Sequence, residues 1–493
     1  MGWVAYKKRC LHLEKQNQSL LKQIQGHKEQ IDQLQEQNQQ LKAKLARSQK
    51  TSRNSSKPPS SDIVKPKPRG RKRRKNKRKI GAQPGHPKHQ RPPFDEGQIR
   101  STFEYHLKKC PCCQGPVQRD WQAAPRIQQQ IELPDQLFYI DQYSAYGYGC
   151  AHCRKTYFAK IPRDILQGGL CGPRLTSMVA LMKGALSLSY SSIQSYLEQV
   201  LELPLSRGYL AKLIQKTTGS LQIPYQGLLE SLPGQSRLNV DETGHKDNGL
   251  PWWTWVFRGK DFALFKIQES RSSQVLKEVL GEEFKGVLGC DYFSAYRKYM
   301  GDCDVLVQFC LAHLIRDLRF LSEHDDLLVS QYGECLLKKL RSLFRLIHDR
   351  KDSKVSLEKD LKKIQKQFIR LATRTEFLSP IAWYRREKPG FRLVENMADR
   401  FRKHGEAYFQ FITTPGMEPT NNLAEQAIRF IVIGRRVTQG TRGQKGREFC
   451  QRIWTTWATC KIQGRSTYQF LVDCYQAWLH RSQPPELLPS KNF

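Results

Sequence analysis

Residues Arg237–Gly244 read RLNVDETG. Leu238 and Val240 alternate with polar neighbours, the pattern of a short strand with one buried face. The spacing predicts that Asp241 stands at the C-terminal end of that strand, where a carboxylate leaves the sheet and faces a cleft. A second strand-then-Asp stretch follows at Val287–Asp291, VLGCD. Between and after them, Trp253–Phe257 and Phe262–Ile267 read as strands joined by a turn at Arg258–Asp261, and Ser272–Leu280 as a helix. Gly286–Cys290 is a fourth strand, Tyr292–Tyr299 begins a helix, Val305–Phe309 is a fifth strand, and Cys310–Leu321 is a helix. A hairpin-built triplet followed by alternating elements implies a mixed sheet with helices on its faces, the order of a ribonuclease-H-like core.

A third acid comes much later. Glu418–Ile431 has helical spacing at Leu423, Ala424, Ala427, Ile428 and Ile431, and carries Glu425 on the same face as Asn421. A lone acid at a strand end is usually surface, and a lone Glu on a helix is usually solvated. Three carboxylates delivered from two strand ends and one helix are what a two-metal phosphoryl-transfer site needs. Glu242 is read as a neighbour and not as a further catalytic acid. Between the second and third acids, Leu336, Leu337, Leu340, Leu343, Phe344 and Ile347 form one helical stripe, and Leu357, Leu361, Ile364, Phe368 and Leu371 another, so residues 325–415 are expected to be an all-helical insertion.

The chain has 493 residues, enough for two or three domains, and a formal net charge of +36 from 82 basic and 46 acidic residues. That excess favours a polyanionic partner, with nucleic acid the leading candidate. No run of about 18 apolar residues exists, so no membrane span is expected. The opening MGWVAYKKRC lacks an apolar signal core, and Tyr6 does not suit a myristoylation start. The expected location is cytoplasmic and nucleoid-associated, where the fourteen cysteines are thiols or metal ligands.

Residues 8–48 repeat in sevens. Leu13, Leu20, His27, Leu34 and Leu41 share position d, and Cys10, Asn17, Ile24, Ile31, Asn38 and Leu45 share position a. The pattern is that of a coiled coil, and Asn at two a positions with Leu at d favours a parallel pair. The alternative is one amphipathic helix lying on its own domain. From Thr51 the composition becomes Ser/Pro-rich, and Lys65–Lys79 contains eleven Lys or Arg in fifteen residues. Such runs are usually solvated. Here Arg71, Lys72, Arg73 and Arg74 are read as phosphate contacts that give affinity without sequence preference. Cys110–Cys113 and Cys150–Cys153 are two C-x-x-C pairs, 36 residues apart, which read as one structural Zn²⁺ site; Cys112 and His152 are left out of it. Ile127–Leu133 and Leu137–Tyr143 alternate as an intervening hairpin would. Ser191–Leu201 and Ser206–Thr217 fit a helix-turn-helix, and packing helices fit equally well.

The chain resembles the transposases of the insertion sequence 66 family, members of the DDE superfamily, over nearly its whole length. The resemblance rests on NSSKPPSSD (Asn54–Asp62), GAQPGHP (Gly81–Pro87), the paired C-x-x-C, VDETG (Val240–Gly244), W-x-WV (Trp253–Val256), GCDYFSAY (Gly289–Tyr296), CLAH (Cys310–His313) and EPTNNLAEQAIR (Glu418–Arg429). It implies that Asp241, Asp291 and Glu425 are the catalytic triad holding two Mg²⁺ ions, with His313 contributing to the active site. It also implies that Asn421, Asn422, Arg429 and Arg436 support the site or contact DNA phosphates. The run Arg71–Lys79 is longer and denser than the family's usual spacer, so its contacts are not carried over. The implied function is a DNA transposase that binds terminal inverted repeats, cuts them and joins them to target DNA. A DNA-binding regulator on an inert scaffold is the alternative. Expected partners are DNA, a second copy of the chain through residues 8–48, and accessory proteins of the same element.

The expected organisation is a multidomain chain. It comprises a coiled coil (1–50), a basic linker (51–98), a zinc-binding domain (99–165) and a helical DNA-binding or connecting region (166–232). The core follows in two parts (233–324 and 416–465) around the insertion (325–415), with a C-terminal tail (466–493). The heptad pattern generates the first testable expectation: the isolated segment 1–48 sediments as a dimer at tens of micromolar, and a monomer there would refute the pairing.

Overall fold

The computed structural model describes residues 2–48, 92–120, 122–349, 354–374 and 389–488. Two compact units divide the chain: Lys67–Tyr143, and Met1–Pro66 together with Ser144–Phe493. The run Arg71–Lys79 lies outside the described residues.

Helix α1 spans Gly2–Ser48, about 70 Å at 1.5 Å per residue. Its apolar seam, including Leu13, Leu20, Ile24, Ile31, Leu34 and Leu41, is exposed in the single chain. In the smaller unit, an isolated antiparallel bridge, Lys109 to Pro116, closes a turn around Cys110–Cys113. The stretches Ile127–Leu133 and Leu137–Tyr143 form no strands, which corrects the expected hairpin. Their alternating side chains, Ile127, Ile131, Leu133, Tyr139 and Ile140 among them, stay exposed, so no buried face exists to reward pairing. The strands that do form here belong to the other unit. They are β1 (Gly147–Gly149) and β2 (Thr156–Phe158), antiparallel, and they flank Cys150–Cys153.

Next come α2 (Arg163–Gly168), α3 (Pro173–Gly184), α4 (Tyr190–Leu201), α5 (Arg207–Ser220) and α6 (Gln222–Glu230). Ser189 and Ser206 cap α4 and α5, their hydroxyls accepting from the Ser192 and Tyr209 amides at 2.9 and 3.2 Å. Leu210, Leu213, Ile214, Thr217 and Thr218 bury one side of α5.

Five strands form the central sheet: β3 (Arg237–Asp247), β4 (Leu250–Arg258), β5 (Ala263–Gln268), β6 (Val287–Cys290) and β7 (Leu306–Phe309), in the order β5-β4-β3-β6-β7. The first three are an antiparallel meander; β6 and β7 add in parallel to β3 through α7 (Ser273–Leu280) and α8 (Ser294–Cys303). Strand β3 outruns the sequence expectation. Asn248 and Gly249, at φ 49° and 83°, make the two-residue turn that an Asn-Gly pair favours, and pairing with β4 continues to Asp247–Leu250. Asp241 therefore lies within β3, not at its end. What stops nearby is the parallel neighbour, which pairs with β3 only at Arg237–Asn239.

After β7 come α9 (Leu311–Ser322), then the described helices of the insertion, α10 (Leu327–Asp349), α11 (Lys354–Thr373) and α12 (Pro389–His404). The chain then returns to the sheet with α13 (Asn422–Thr438), packed on β3 and β4, and α14 (Gln444–Ile462), packed on β5. Residues 466–493, expected as a tail, contain helix α15 (Thr467–His480), capped by Ser466 and packed on α3 and α5. Phe470, Leu471, Cys474 and Tyr475 lie at helical spacing and are buried, which is why this end folds onto the body.

The outer edge of β5 is finished by side chains, not by another strand. Gln451, Thr455 and Thr459 stand four apart on α14, one above the other, and accept from the amides of Ile267, Phe265 and Ala263 at 2.7, 2.9 and 3.2 Å. Thr455→Val keeps the shape but strands the Phe265 amide in the core. It should cost about 1–3 kcal/mol, read as a lower denaturant midpoint at unchanged slope.

Candidate functional site

Register places the two aspartates side by side. Asn239 pairs with Gly289, so continuing that parallel register brings Asp291 level with Asp241. Pairing of β3 with β6 stops at Asn239, and the next carbonyl, that of Val240, accepts instead from the Asn421 side chain. Each aspartate is half-buried and held by a backbone amide: Glu242 N–H donates to Asp241 Oδ1, and Phe293 N–H to Asp291 Oδ1, both at 2.9 Å. Glu425 arrives from the first turn of α13, where the helix dipole favours a negative charge. Burial pushes the Asp241 carboxyl well above the usual range, and the negative charges of Glu242, Asp291 and Glu425 push it further. Asp291 is raised too, first by burial and then by Glu242, against the pull of His313 and Arg271.

Glu242 points to the opposite face of β3, as strand alternation requires. Its carboxylate is buried, pairs with Arg271 through Nη2 at 2.6 Å and Nε at 2.7 Å, and accepts from the Tyr296 hydroxyl. Arg271 lies over the rings of Trp253 and Phe293 at 4.6 and 3.9 Å. Glu242 is thus a neutralised acid behind the site. Its partner Arg271 is 29 residues away in sequence and left no local signal.

Asn421 fixes the third acid. It is 1% exposed, so the expectation that it contacts DNA is corrected. Its Nδ2 donates to the Val240 carbonyl at 2.8 Å, its Oδ1 accepts from Asn239 Nδ2 at 2.9 Å, and its backbone N–H donates to Cys310 Sγ at 3.1 Å. Cys310, at the head of α9, donates its own N–H to the Cys290 carbonyl at 2.8 Å, and burial pushes its thiol up. One turn on, His313 brings Nδ1 to 3.7 Å from Glu425 Oε1, and Arg316 lies 4.0 Å from Glu425 Oε2. Burial lowers the His313 pKa, which favours the neutral ring. Asn239, Arg271 and Cys310 are the site-building residues to which sequence reasoning gave no role, whereas Glu242 is the non-catalytic neighbour that the sequence suggested.

Divalent cations suit this donor set. The acids repel one another in a poorly solvated place, and Glu425 Oε1 and His313 Nδ1 are buried without a hydrogen-bond partner among the described residues. Carboxylate oxygens fit a hard ion such as Mg²⁺. Cys310, His313 and Glu425 also bring ligand atoms within 4.8 Å of one another.

The remaining candidates are dispersed. Asn422, Arg429 and Arg436 are exposed along α13, whereas Arg435 turns back to Thr243 Oγ1 at 2.7 Å. The C-x-x-C pairs each fold as a tight knuckle with one shared pattern. The first cysteine donates to the carbonyl five residues on (Gly115, Lys155) and accepts from the amide four residues on (Gln114, Arg154), all at 2.9 Å. Gln114 and Arg154 are both left-handed, at φ 63° and 53°. The Cys110 thiol is held below its usual range by the amides of Cys113 and then Cys112, and the Cys150 thiol by those of Cys153 and then His152. Each knuckle thus favours the thiolate that binds metal.

Residues 168–448, more than half of the chain, match the family described as "Transposase IS66 family". The chain belongs to the IS66 transposase family. Residues 7–92 match a second family, described as "Family of unknown function (DUF6444)". No curated protein matches the chain. The transposase match spans β3, β6, α9 and α13, so every element that builds the acidic cluster lies inside it. No helix among the described residues of the transposase is long and apolar enough to cross a membrane.

The raised Asp241 pKa has a thermodynamic consequence. The native chain binds more protons than the unfolded one between the usual carboxylate value and the raised one, so stability falls as pH rises through that window. Asp241→Asn should therefore raise the melting temperature at neutral pH in chelator. The gain should disappear below the unfolded carboxylate value of about 3.9. Thermal unfolding at a series of pH values checks this, and no gain at neutral pH would contradict the burial and repulsion.

Proposed function

We propose that this transposase cuts and joins DNA by the two-metal chemistry of the DDE enzymes, on a sheet we read as ribonuclease-H-like. The observation that carries the reading is the convergence of Asp241, Asp291 and Glu425, from β3, the end of β6 and α13, into one mutually repelling cluster in which Glu425 Oε1 has no hydrogen bond among the described residues. Asp241, Asp291 and Glu425 would hold two Mg²⁺ ions, which when bound activate an attacking hydroxyl and stabilise the leaving oxygen of an in-line displacement at phosphorus.

The chain's own groups supply position. The Asp241 and Asp291 carboxylates are oriented by the amides that each accepts, and Asn421 ties the start of α13 to β3. His313, favoured as the neutral ring, lies beside Glu425 with Nδ1 3.7 Å from Oε1. In the first displacement a water oxygen bonds to the scissile phosphorus as the bond to the 3′ oxygen breaks. In the second, the freed 3′-hydroxyl oxygen bonds to a target phosphorus as that phosphorus loses its bond to the target's 3′ oxygen, which leaves as a new 3′-hydroxyl. Exposed Asn422 and Arg429 lie within about one turn of Glu425 on α13, Arg436 lies further along the same helix, and all three suit backbone phosphates.

The outlying parts fit recognition and assembly. The exposed heptad seam of α1 suits pairing with a second copy. The knuckle thiolates suit a structural Zn²⁺, and the basic run Lys65–Lys79 suits non-specific phosphate contact. Terminal inverted repeats are the proposed specific DNA, accessory proteins of the same element remain proposed partners, and the nucleoid is the proposed place of action.

Asp241→Ala, Asp291→Ala and Glu425→Ala should each abolish Mg²⁺-dependent nicking and strand joining of a labelled element end while leaving end binding intact. Cleavage that persisted in any of the three would remove that residue from the triad. A wild-type chain that bound ends but never cut them would favour the regulator reading.

A further inference from the structure

The two aspartates stand on different footings. Asp241 accepts from the amide of Glu242, a residue held in the sheet by its pairing with Trp255 of β4. Strand β6 ends at Cys290, so Asp291 and the residues after it have left the sheet. Asp291 accepts from the amide of Phe293, which takes extended backbone (φ −72°, ψ 151°) just before α8. Its carboxylate is therefore only as fixed as the Asp291–Phe293 turn.

Arg271 joins the two footings. Its guanidinium forks onto Glu242 Oε1, through Nη2 at 2.6 Å and Nε at 2.7 Å, and the same group covers the Phe293 ring at 3.9 Å. The Trp253 ring of β4 takes it at 4.6 Å. The loop that presents Arg271 is itself fastened to β4, because Trp255 Nε1 donates to the Ser270 carbonyl at 3.1 Å. Tyr296 of α8 runs in parallel with this tie: its hydroxyl donates to Glu242, and its ring meets that of Phe293 edge-on at 6.4 Å. Arg271 also reaches Asp291 by charge, opposing the rise that burial and then Glu242 impose.

We propose that Arg271 is a positioning residue for Asp291: by joining the Phe293 ring to Glu242 it holds the Asp291–Phe293 turn against β3, and so sets where the second aspartate stands beside the first. A planar guanidinium suits this task, since its edge takes a carboxylate while its face covers a ring, and an ammonium group cannot do both. Groups behind a metal-binding carboxylate tune metal affinity by about 10–100-fold. The consequence for metal rests on the two-metal reading proposed above; the tie between turn and sheet does not.

Hydrogen exchange of the full chain without added divalent cation, read by peptide mass spectrometry, tests the tie itself. In Arg271→Gln the amides of residues 291–296 should exchange roughly tenfold faster, while residues 238–246 of β3 keep their wild-type protection. Unchanged protection at 291–296 would overturn the proposal, and so would an equal loss in both segments, which marks general loosening. Phe293→Leu keeps the Glu242–Arg271 pair and the amide that Asp291 accepts from, but removes the ring, and it should give the same local loss. It decides the matter if Arg271→Gln, which leaves Glu242 buried without its cation, fails to fold. Titration with Mn²⁺, followed by its paramagnetic resonance signal, reads the consequence. The midpoint should rise about 10–100-fold in both variants, and less in Arg271→Lys, which keeps the charge and loses the fork. An unchanged midpoint in both would refute the positioning role. Mn²⁺ binding that Asp241→Ala does not weaken would overturn the two-metal reading alone, because the exchange result is obtained without the metal.

Discussion

The Asn421 side chain uses both of its ends on β3, donating to the Val240 carbonyl and accepting from Asn239. An asparagine at a helix start ordinarily turns its side chain onto its own helix as a cap. Here no such cap forms, and the amide reaches across to the strand. Two ties meet at this residue. Glu425, one turn into α13, is fixed relative to Asp241 on the neighbouring strand. The Asn421 backbone N–H separately donates to Cys310 Sγ, which ties the same residue to the head of α9, the helix that carries His313. Three elements that are far apart in sequence thereby share one buried amide.

Charge compensation behind the cluster is as ordered as the cluster itself. Glu242 would add a further unpaired acid, but Arg271 and Tyr296 satisfy it on the reverse face of the sheet. A buried carboxylate is tolerated only when paired and hydrogen-bonded, and Glu242 meets both conditions. Asp241 and Asp291 do not, and their raised pKa values register the lack. The insertion contributes to the same balance. Arg400 on α12 pairs with Asp317 on α9 at 2.9 Å and covers the Tyr292 ring, so a helix outside the sheet braces the residue next to Asp291.

Much of this was legible beforehand. The strand-helix order of the core, the helical nature of the described insertion, and the three acids on their elements follow from hydrophobic period and residue type. Other features were not. The length of β3 hung on an Asn-Gly turn whose two left-handed residues let the hairpin close further out. The Ile127–Tyr143 alternation looked like a hairpin, but alternation forms a strand only where a face is covered, and here none is. The buried stripe of α15 was readable at helical spacing, yet its partners on α3 and α5 lie far away in the chain.

Sequence by itself determined the local terms: which segments coil, alternate or turn, where acids, thiols and basic runs fall, and the family to which they belong. Those terms depend on neighbours within a turn of helix or a strand repeat. Only the tertiary structure decided that Glu242 is charge-paired while Asp241 is not, and that Asn421 is a buried tie and not a surface contact. Each of these depends on desolvation and on groups brought together from distant positions, and neither can be read from spacing along the chain.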